Sequence, residues 1–409
     1  MTTKKLSLTE IVLLGCYGVV FFGLFLYSFT QIDLSLTFSR IAFLRELVGS
    51  FQHIGYFDRP LSTYLYLAIV VGLTVLYLFF LRRAAQNKLK KTFVWMVIGF
   101  GAIVLTFSYN AFSYDIFNYM FDAKIITYYH ENPYMQKALD YPGDPMLSFM
   151  RWTHRVYPYG PVWLGLTVPL SFLGFQLFLP TFFLFKVLLS ISFIGAVFFI
   201  GKIFQKIKPE REVFALVFFG LNPLVIIESL VSGHLDIAMI FFSLFALYAM
   251  IQKKYVNSYI LFFLSVGVKF VTAVLFPVFI AVHFLEYKKQ RRHWELVFGM
   301  SLILLITGVV IASQQSGNFQ PWYLLVPLSF AVFLSHRYYI LIPSVVISVF
   351  ALFRYVPFLY LGNWDAPVPR ILSALMLTSY GIAFVVTIGY FIYRHIVVVR
   401  KRKRGISDK

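Results

Sequence analysis

The chain has 409 residues, 60% of them apolar and 13% charged, with a formal net charge of +19. This composition excludes a soluble globular enzyme and places the chain among polytopic helical membrane proteins. One cysteine, Cys16, excludes a disulfide framework. The positive charge lies in short loops between apolar runs, where it orients the protein, so nucleic acid is not an expected partner.

The first apolar run, Leu8 to Ser28, follows Lys4 and Lys5. It is too long for a signal-peptide core and lacks a small-residue cleavage site, so it reads as a retained span near 8–29. From Thr30 to Pro60, Leu34, Phe38, Ile41, Leu44 or Arg45, and Val48 fall at helical spacing. They predict an amphipathic helix on the membrane surface. Further spans are expected near 62–81, 93–110, 181–201, 212–230, 235–251, 295–313, 322–335, 338–354 and 371–393.

Basic clusters separate these runs. They fall at Arg82, Arg83, Lys88, Lys90 and Lys91; at Lys202, Lys206, Lys208 and Arg211; at Lys253 and Lys254; at Lys288, Lys289, Arg291 and Arg292; and from Arg400 to Arg404. Assigning them to the cytoplasm puts both termini there too. The 111–157 loop, 232–236, 313–322 and 356–370 then lie outside. Parity of crossing makes 159–175 a short re-entrant or surface helix. Residues 256–286 become a two-helix hairpin with its apex near Lys269 to Thr272. The expectation is an all-α, single integral-membrane domain over 1–409 with about 11–13 membrane segments. No internal repeat, Walker loop or zinc-type Cys/His spacing interrupts it.

The loop at 111–157 is the polar exception. It carries Asp115, Asp122, Glu131, Asp140 and Asp144, and carboxylates beside a bilayer are expensive unless they perform a task. Ser113 is placed to cap a helix that puts Asp115, Tyr119 and Asp122 on one face. That helix is expected to run on to Tyr128-Tyr129-His130-Glu131-Asn132-Pro133-Tyr134, groups suited to holding a sugar. The plain alternative for Asp115 is an acid offsetting the helix dipole. The functional reading is a general base for a hydroxyl acceptor, worth about 10²–10⁴ in rate. Asp140 and Asp144 flank Tyr141-Pro142-Gly143, a turn where aspartate is at home.

Asp115-x-x-x-Tyr119, Asn132-Pro133-Tyr134 and Tyr157-x-Tyr159-Gly160-Pro161 together resemble the first external loop of the GT-C superfamily. Those are integral-membrane glycosyltransferases that use polyprenyl-phosphate sugars. The resemblance implies that Asp115 is the catalytic base, with Tyr119, Asp122, Asn132, Tyr134 and Tyr159 at the sugar or acceptor. Many relatives carry a glycine two residues before Asn-Pro-Tyr; this chain has His130.

A second constellation is Asn222-Pro223, Glu228 and Gly233-His234-Leu235-Asp236. It resembles a signature of bacterial polyprenyl-phosphomannose-dependent transferases. Glu228, His234 and Asp236 are then expected at the sugar; the plain alternatives are a cap and a turn. Three acids, Asp115, Glu228 and Asp236, also suit Mg²⁺ or Mn²⁺, although no spacing is diagnostic of a metal. Lys269 lies at mid-membrane, where a lysine costs roughly 2.5–3.5 kcal/mol. It either snorkels or grips the donor phosphate, with Arg151, His154 and Arg155 as further cations. Gln320-Pro321-Trp322-Tyr323 reads as a family motif or as an aromatic interface belt.

These residues lead to one expectation. The chain transfers a sugar, mannose by the resemblance, from a polyprenyl-phosphate donor to a glycan or glycolipid acceptor. Transfer occurs on the outer face of the cell membrane, with inversion. The alternatives are a transporter or flippase of lipid-linked sugars, and a ligase using a lipid-diphosphate donor.

Overall fold

In the computed structural model the described residues are 7–37, 40–290 and 293–403. Lys4, Lys5, Phe38, Arg291, Arg292 and Arg404 lie outside them. The described chain is 79% helical without strands, an all-α polytopic membrane fold. Among the described residues, seven helices are long and apolar enough to cross a membrane, and a bent pair makes an eighth. Five shorter apolar helices of 10–17 residues fill in between them.

The chain opens with α1 (Leu8–Ser28), started by a capping box in which Ser7 Oγ accepts the Glu10 N–H at 3.2 Å. The surface helix α2 (Ala42–Gln52) buries none of its residues, with Phe43 and Leu47 exposed. It begins at Ala42, so the helical spacing read from Leu34 extends too far toward the N-terminus. α3 (Arg59–Ala85) and α4 (Lys91–Thr106) pack on α1. The polar loop then yields α5 (Asp115–Thr127), and α6 (Pro161–Leu173) follows it. With 13 residues, about 20 Å of rise, α6 is too short to span.

α7 (Phe178–Ile207) runs back the full depth. The expected 212–230 span is broken into α8 (Glu212–Gly220) and α9 (Pro223–Ile226), bent by 56°. Pro223 has no N–H to continue α8, and it holds Asn222 in an extended conformation. Asn222 Oδ1 then caps α9 by accepting the Leu224 N–H at 2.9 Å. A wide π-type turn, Ile227–Val231, leads to α10 (Asp236–Ile251).

α11 (Tyr255–Val268) and α12 (Phe276–Tyr287) form the expected hairpin, with Lys269 in extended backbone at its apex. α13 (Trp294–Gln315), α14 (Leu325–Ala331) and α15 (Tyr338–Leu352) complete the bundle. Part of the expected 356–370 loop is instead helical, as α16 (Val356–Leu361), stopped by Gly362 at φ +78°. The last helix, α17 (Val368–Lys403), packs mainly on α15.

Every residue from Phe214 to Ile240 is buried. The second constellation therefore sits at the centre of the bundle, where a charged group needs a partner. The opposite end is tied by ion pairs of the basic clusters: Lys90 to Glu10 at 3.0 Å, Lys91 to Glu212 at 2.6 Å and Lys208 to Glu295 at 3.0 Å.

Candidate active site

Asp115 is the first residue of α5, and its N–H donates to Ser113 Oγ at 3.1 Å. Tyr114 occupies the cap position expected for Ser113. The Asp115 Oδ2 stands 3.4 Å from His234 Nδ1, and His234 Nε2 stands 3.3 Å from Glu228 Oε2. Neither contact has hydrogen-bond geometry, so these are ion-pair distances. Tyr355 completes the row by donating to Glu228 Oε1 at 2.9 Å. His234 and Glu228 are wholly buried. Burial pushes the imidazole down, but the Asp115 and Glu228 carboxylates outweigh it and raise His234 to about 9.

Local backbone explains how His234 reaches between two acids. The turn at Ile227–Val231 brings the chain back, and the His234 N–H donates to the Glu228 carbonyl at 3.1 Å. Gly233 takes φ +75°, a left-handed conformation that glycine adopts without strain. Trp322 covers the ring, stacked at 3.9 Å and 19°.

Lys269 lies beside this row. Its Nζ donates to both oxygens of Asp236, at 2.8 and 3.0 Å, and stands 5.5 Å from the Tyr323 ring. The sugar ligand expected at Asp236 and the phosphate ligand expected at Lys269 are thus one ion pair. The Gly160 N–H donates to the Val268 carbonyl at 3.2 Å. A Cβ at Gly160 would lie 2.1 Å from the Gly267 carbonyl oxygen, so only glycine lets the Tyr-x-Tyr-Gly-Pro segment dock on the hairpin apex.

Tyr119 packs edge-on against Tyr159 at 5.3 Å and Trp163 at 5.4 Å. Burial raises both phenols, and the Asp115 and Asp236 charges add to it. Asp122 is buried on α5, and burial raises its carboxyl. The expected continuation of α5 to Tyr134 does not form. The helix stops at Thr127, His130 turns left-handed at φ +58°, and Pro133 follows. His130 thus adopts at this position a backbone conformation that glycine favours. Asn132 Oδ1 accepts the Tyr134 N–H at 3.0 Å, and the Tyr134 hydroxyl donates to the Tyr159 carbonyl at 3.2 Å. Both residues are exposed, and these bonds fold the loop itself.

The two arginines have other partners. Arg151 stands 3.5 Å from Asp33 and stacks over Tyr114, while Arg155 stacks over Trp152 and donates to His154 at 3.3 Å. Asp144 is more than a turn residue. It is buried, pairs with Lys124, accepts from the Tyr129 hydroxyl at 2.7 Å and accepts the Met146 N–H at 2.9 Å.

Among the described residues, no three His, Cys, Asp or Glu side chains converge as metal ligands. The candidate set does not fit one ion: Asp115 and Glu228 flank a cationic imidazole, and Asp236 is held by Lys269. Two buried residues at the site were not anticipated, Tyr355 and Lys186. The signals for them were Arg354, next to Tyr355, and Lys186 itself, cations inside apolar runs.

The all-α membrane bundle, together with the family match over its first two thirds, fits a glycosyltransferase of the GT-C type. The family model for alpha-(1->6)-mannopyranosyltransferases, N-terminal domain, matches residues 28–285, and the chain belongs to that family. No curated protein and no solved structure matches it. The match takes in Asp115, Glu228, His234, Asp236 and Lys269; Trp322 and Tyr355 come from beyond it.

Proposed function

We propose that this mannosyltransferase takes mannose from a polyprenyl-phosphate donor and places it on a hydroxyl of a glycan or glycolipid, at the outer face of the membrane. The carrying observation is the Asp115–His234–Glu228 row. Buried between two carboxylates, His234 sets its imidazole 3.4 Å from Asp115 and 3.3 Å from Glu228, and so fixes where the Asp115 carboxylate stands.

Asp115 takes the proton of the acceptor hydroxyl as that oxygen bonds to the anomeric carbon. The bond from this carbon to the phosphate oxygen breaks, its electron pair leaves with polyprenyl phosphate, and the centre inverts. Lys269 meets the phosphate, oriented by Asp236. Glu228 holds the His234 ring beside Asp115. Arg151 and Arg155, the other cations expected at the phosphate, here pair with Asp33 and with Trp152 and His154, so the reading gives the first grip to Lys269.

Two features support the lipid-linked donor and the outer face. An apolar cavity of about 790 Å³ lies among α13, α14, α15 and α17, lined by Leu302, Ile306, Val309, Leu328, Ile340 and Ile347. A polyprenyl chain is suited to such a wall. The candidate site also lies opposite the basic clusters, which by charge bias belong to the cytoplasm, with both termini.

Reconstitution in proteoliposomes with polyprenyl-phosphomannose tests this, reading released polyprenyl phosphate and mannosylated acceptor. Turnover with a nucleotide sugar, and none with the lipid-linked donor, would overturn the reading.

A further inference from the structure

α7 brings a lysine to the centre of the bundle. Lys186 is 1% exposed, and among the described residues no carboxylate pairs with it. Its Nζ donates to the Leu230 carbonyl, to the Val231 carbonyl at 3.1 Å and to Ser108 Oγ at 3.2 Å. Three acceptors and no donor make a set that a three-proton ammonium satisfies.

The two carbonyls matter because of where they lie. Leu230 and Val231 close the turn Ile227–Val231, the end of the helical segment that carries Glu228. The last carbonyls of a helix lack N–H partners and form the negative end of its dipole. The chain then turns through Ser232 and Gly233 to reach His234. α7 also lies alongside that turn, because Leu189 Cδ1 stands 3.4 Å from where a Gly233 Cβ would be. One helix thus holds the turn by polar bonds and lines it with an apolar side chain. If packing alone were needed, a buried apolar side chain would do it without burying an amine.

We propose that Lys186 is a positioning residue for mannosyl transfer. By gripping the Leu230 and Val231 carbonyls it sets the Ser232–Leu235 turn, and so keeps the His234 ring between Asp115 and Glu228. It touches neither sugar nor phosphate. The inference rests on the reading that His234 belongs to the reacting site.

The test uses the full chain, with Lys186→Met, Lys186→Gln, His234→Ala and the double variants that join each lysine change to His234→Ala. The kcat, KM and Tm of each are measured with polyprenyl-phosphomannose. A positioning role predicts that Lys186→Met loses about ten- to a hundredfold in kcat, the scale of a misplaced group, with KM changed by less than about twofold. Lys186→Gln, which keeps two N–H donors, regains part of the rate. The double variant is no slower than His234→Ala alone, because the lysine acts only through that ring. Additive losses overturn the proposal, and so does a lowered Tm with wild-type kcat. If Lys186→Met does not fold, Lys186→Gln and its double variant decide by the same criterion. A wild-type rate in His234→Ala overturns the site reading itself, whereas additive losses beside an impaired His234→Ala overturn the role of Lys186 alone.

Discussion

The Asp115 carboxylate stands 3.4 Å from His234 Nδ1, and the same imidazole stands 3.3 Å from Glu228 on its other side. One ring is therefore shared by two acids from segments far apart in sequence. That sharing explains how a buried carboxylate, a half-buried one and a buried histidine coexist: each charge has an opposite neighbour.

The shared ring sets a pH dependence. His234 titrates at about 9 in the folded protein, against about 6.5 for an unperturbed imidazole. A raised value means that its contribution to stability is fully present below about 6.5 and is lost as pH rises through about 9. Both Tm and kcat/KM of wild type are expected to fall along this alkaline limb. In His234→Gln the limb should vanish from the Tm profile; a limb of unchanged position there assigns the titration to another group.

Glu228→Gln keeps the shape but removes the charge facing His234. Its kcat is expected to fall at least tenfold, equivalent to about 1.4 kcal/mol. Tyr355→Phe removes one hydrogen bond to Glu228 and should cost less, about 0.5–1.5 kcal/mol. Steady-state rates of the two variants check the order, and a Tyr355→Phe loss exceeding that of Glu228→Gln contradicts it.

Lys269→Met should weaken binding of polyprenyl-phosphomannose by a kilocalorie or more, on the scale of a charged hydrogen bond at about 1.5–3 kcal/mol. Lys269→Arg keeps the charge and should recover part of the affinity. Binding isotherms on purified protein decide this. Equal affinity in wild type and Lys269→Met would leave the lysine only as the partner of Asp236.

Asp144 and Asp140 should separate cleanly. Burial pushes the Asp144 carboxyl up, but Lys124, Tyr129 and the Met146 N–H outweigh it and hold the group below the usual carboxylate range. Its stabilisation is present at neutral pH and is lost as pH falls through that lowered value. Asp144→Asn is expected to cost about 1–3 kcal/mol and lower Tm. Asp140→Asn should leave Tm unchanged, since this carboxylate only accepts an exposed Lys137 N–H at 2.9 Å. Thermal melts of both variants at neutral pH and at pH 4 measure the contrast.

Much of this was legible in the sequence because membrane physics is blunt. Apolar runs and basic loops foretold most of the long apolar helices, the short Pro161–Leu173 helix and the hairpin with Lys269 at its apex, while three expected spans, near 93–110, 235–251 and 322–335, are shorter helices. The resemblance singled out Asp115, Glu228, His234 and Asp236, and the fold sets the first three in one row while Asp236 pairs with Lys269. What stayed hidden depended on contacts between distant segments. Tyr355 has no motif around it, and Lys186 reads as an oddity until the Leu230 carbonyl is seen above it. Asp144 looked like a turn residue because turn chemistry is local, while Lys124 approaches it from α5. The end of α5 was missed because His130, which takes φ +58°, is a weaker stop signal than a glycine would be.

The central claim is that Asp115 is the base, and single-turnover transfer by Asp115→Asn at saturating polyprenyl-phosphomannose tests it most directly. Loss of general-base help predicts a rate lowered by about 10²–10⁴, with donor affinity and Tm close to wild type. The position at the head of α5, with its charge facing His234, is what motivates that expectation. A wild-type rate in this variant would contradict the account.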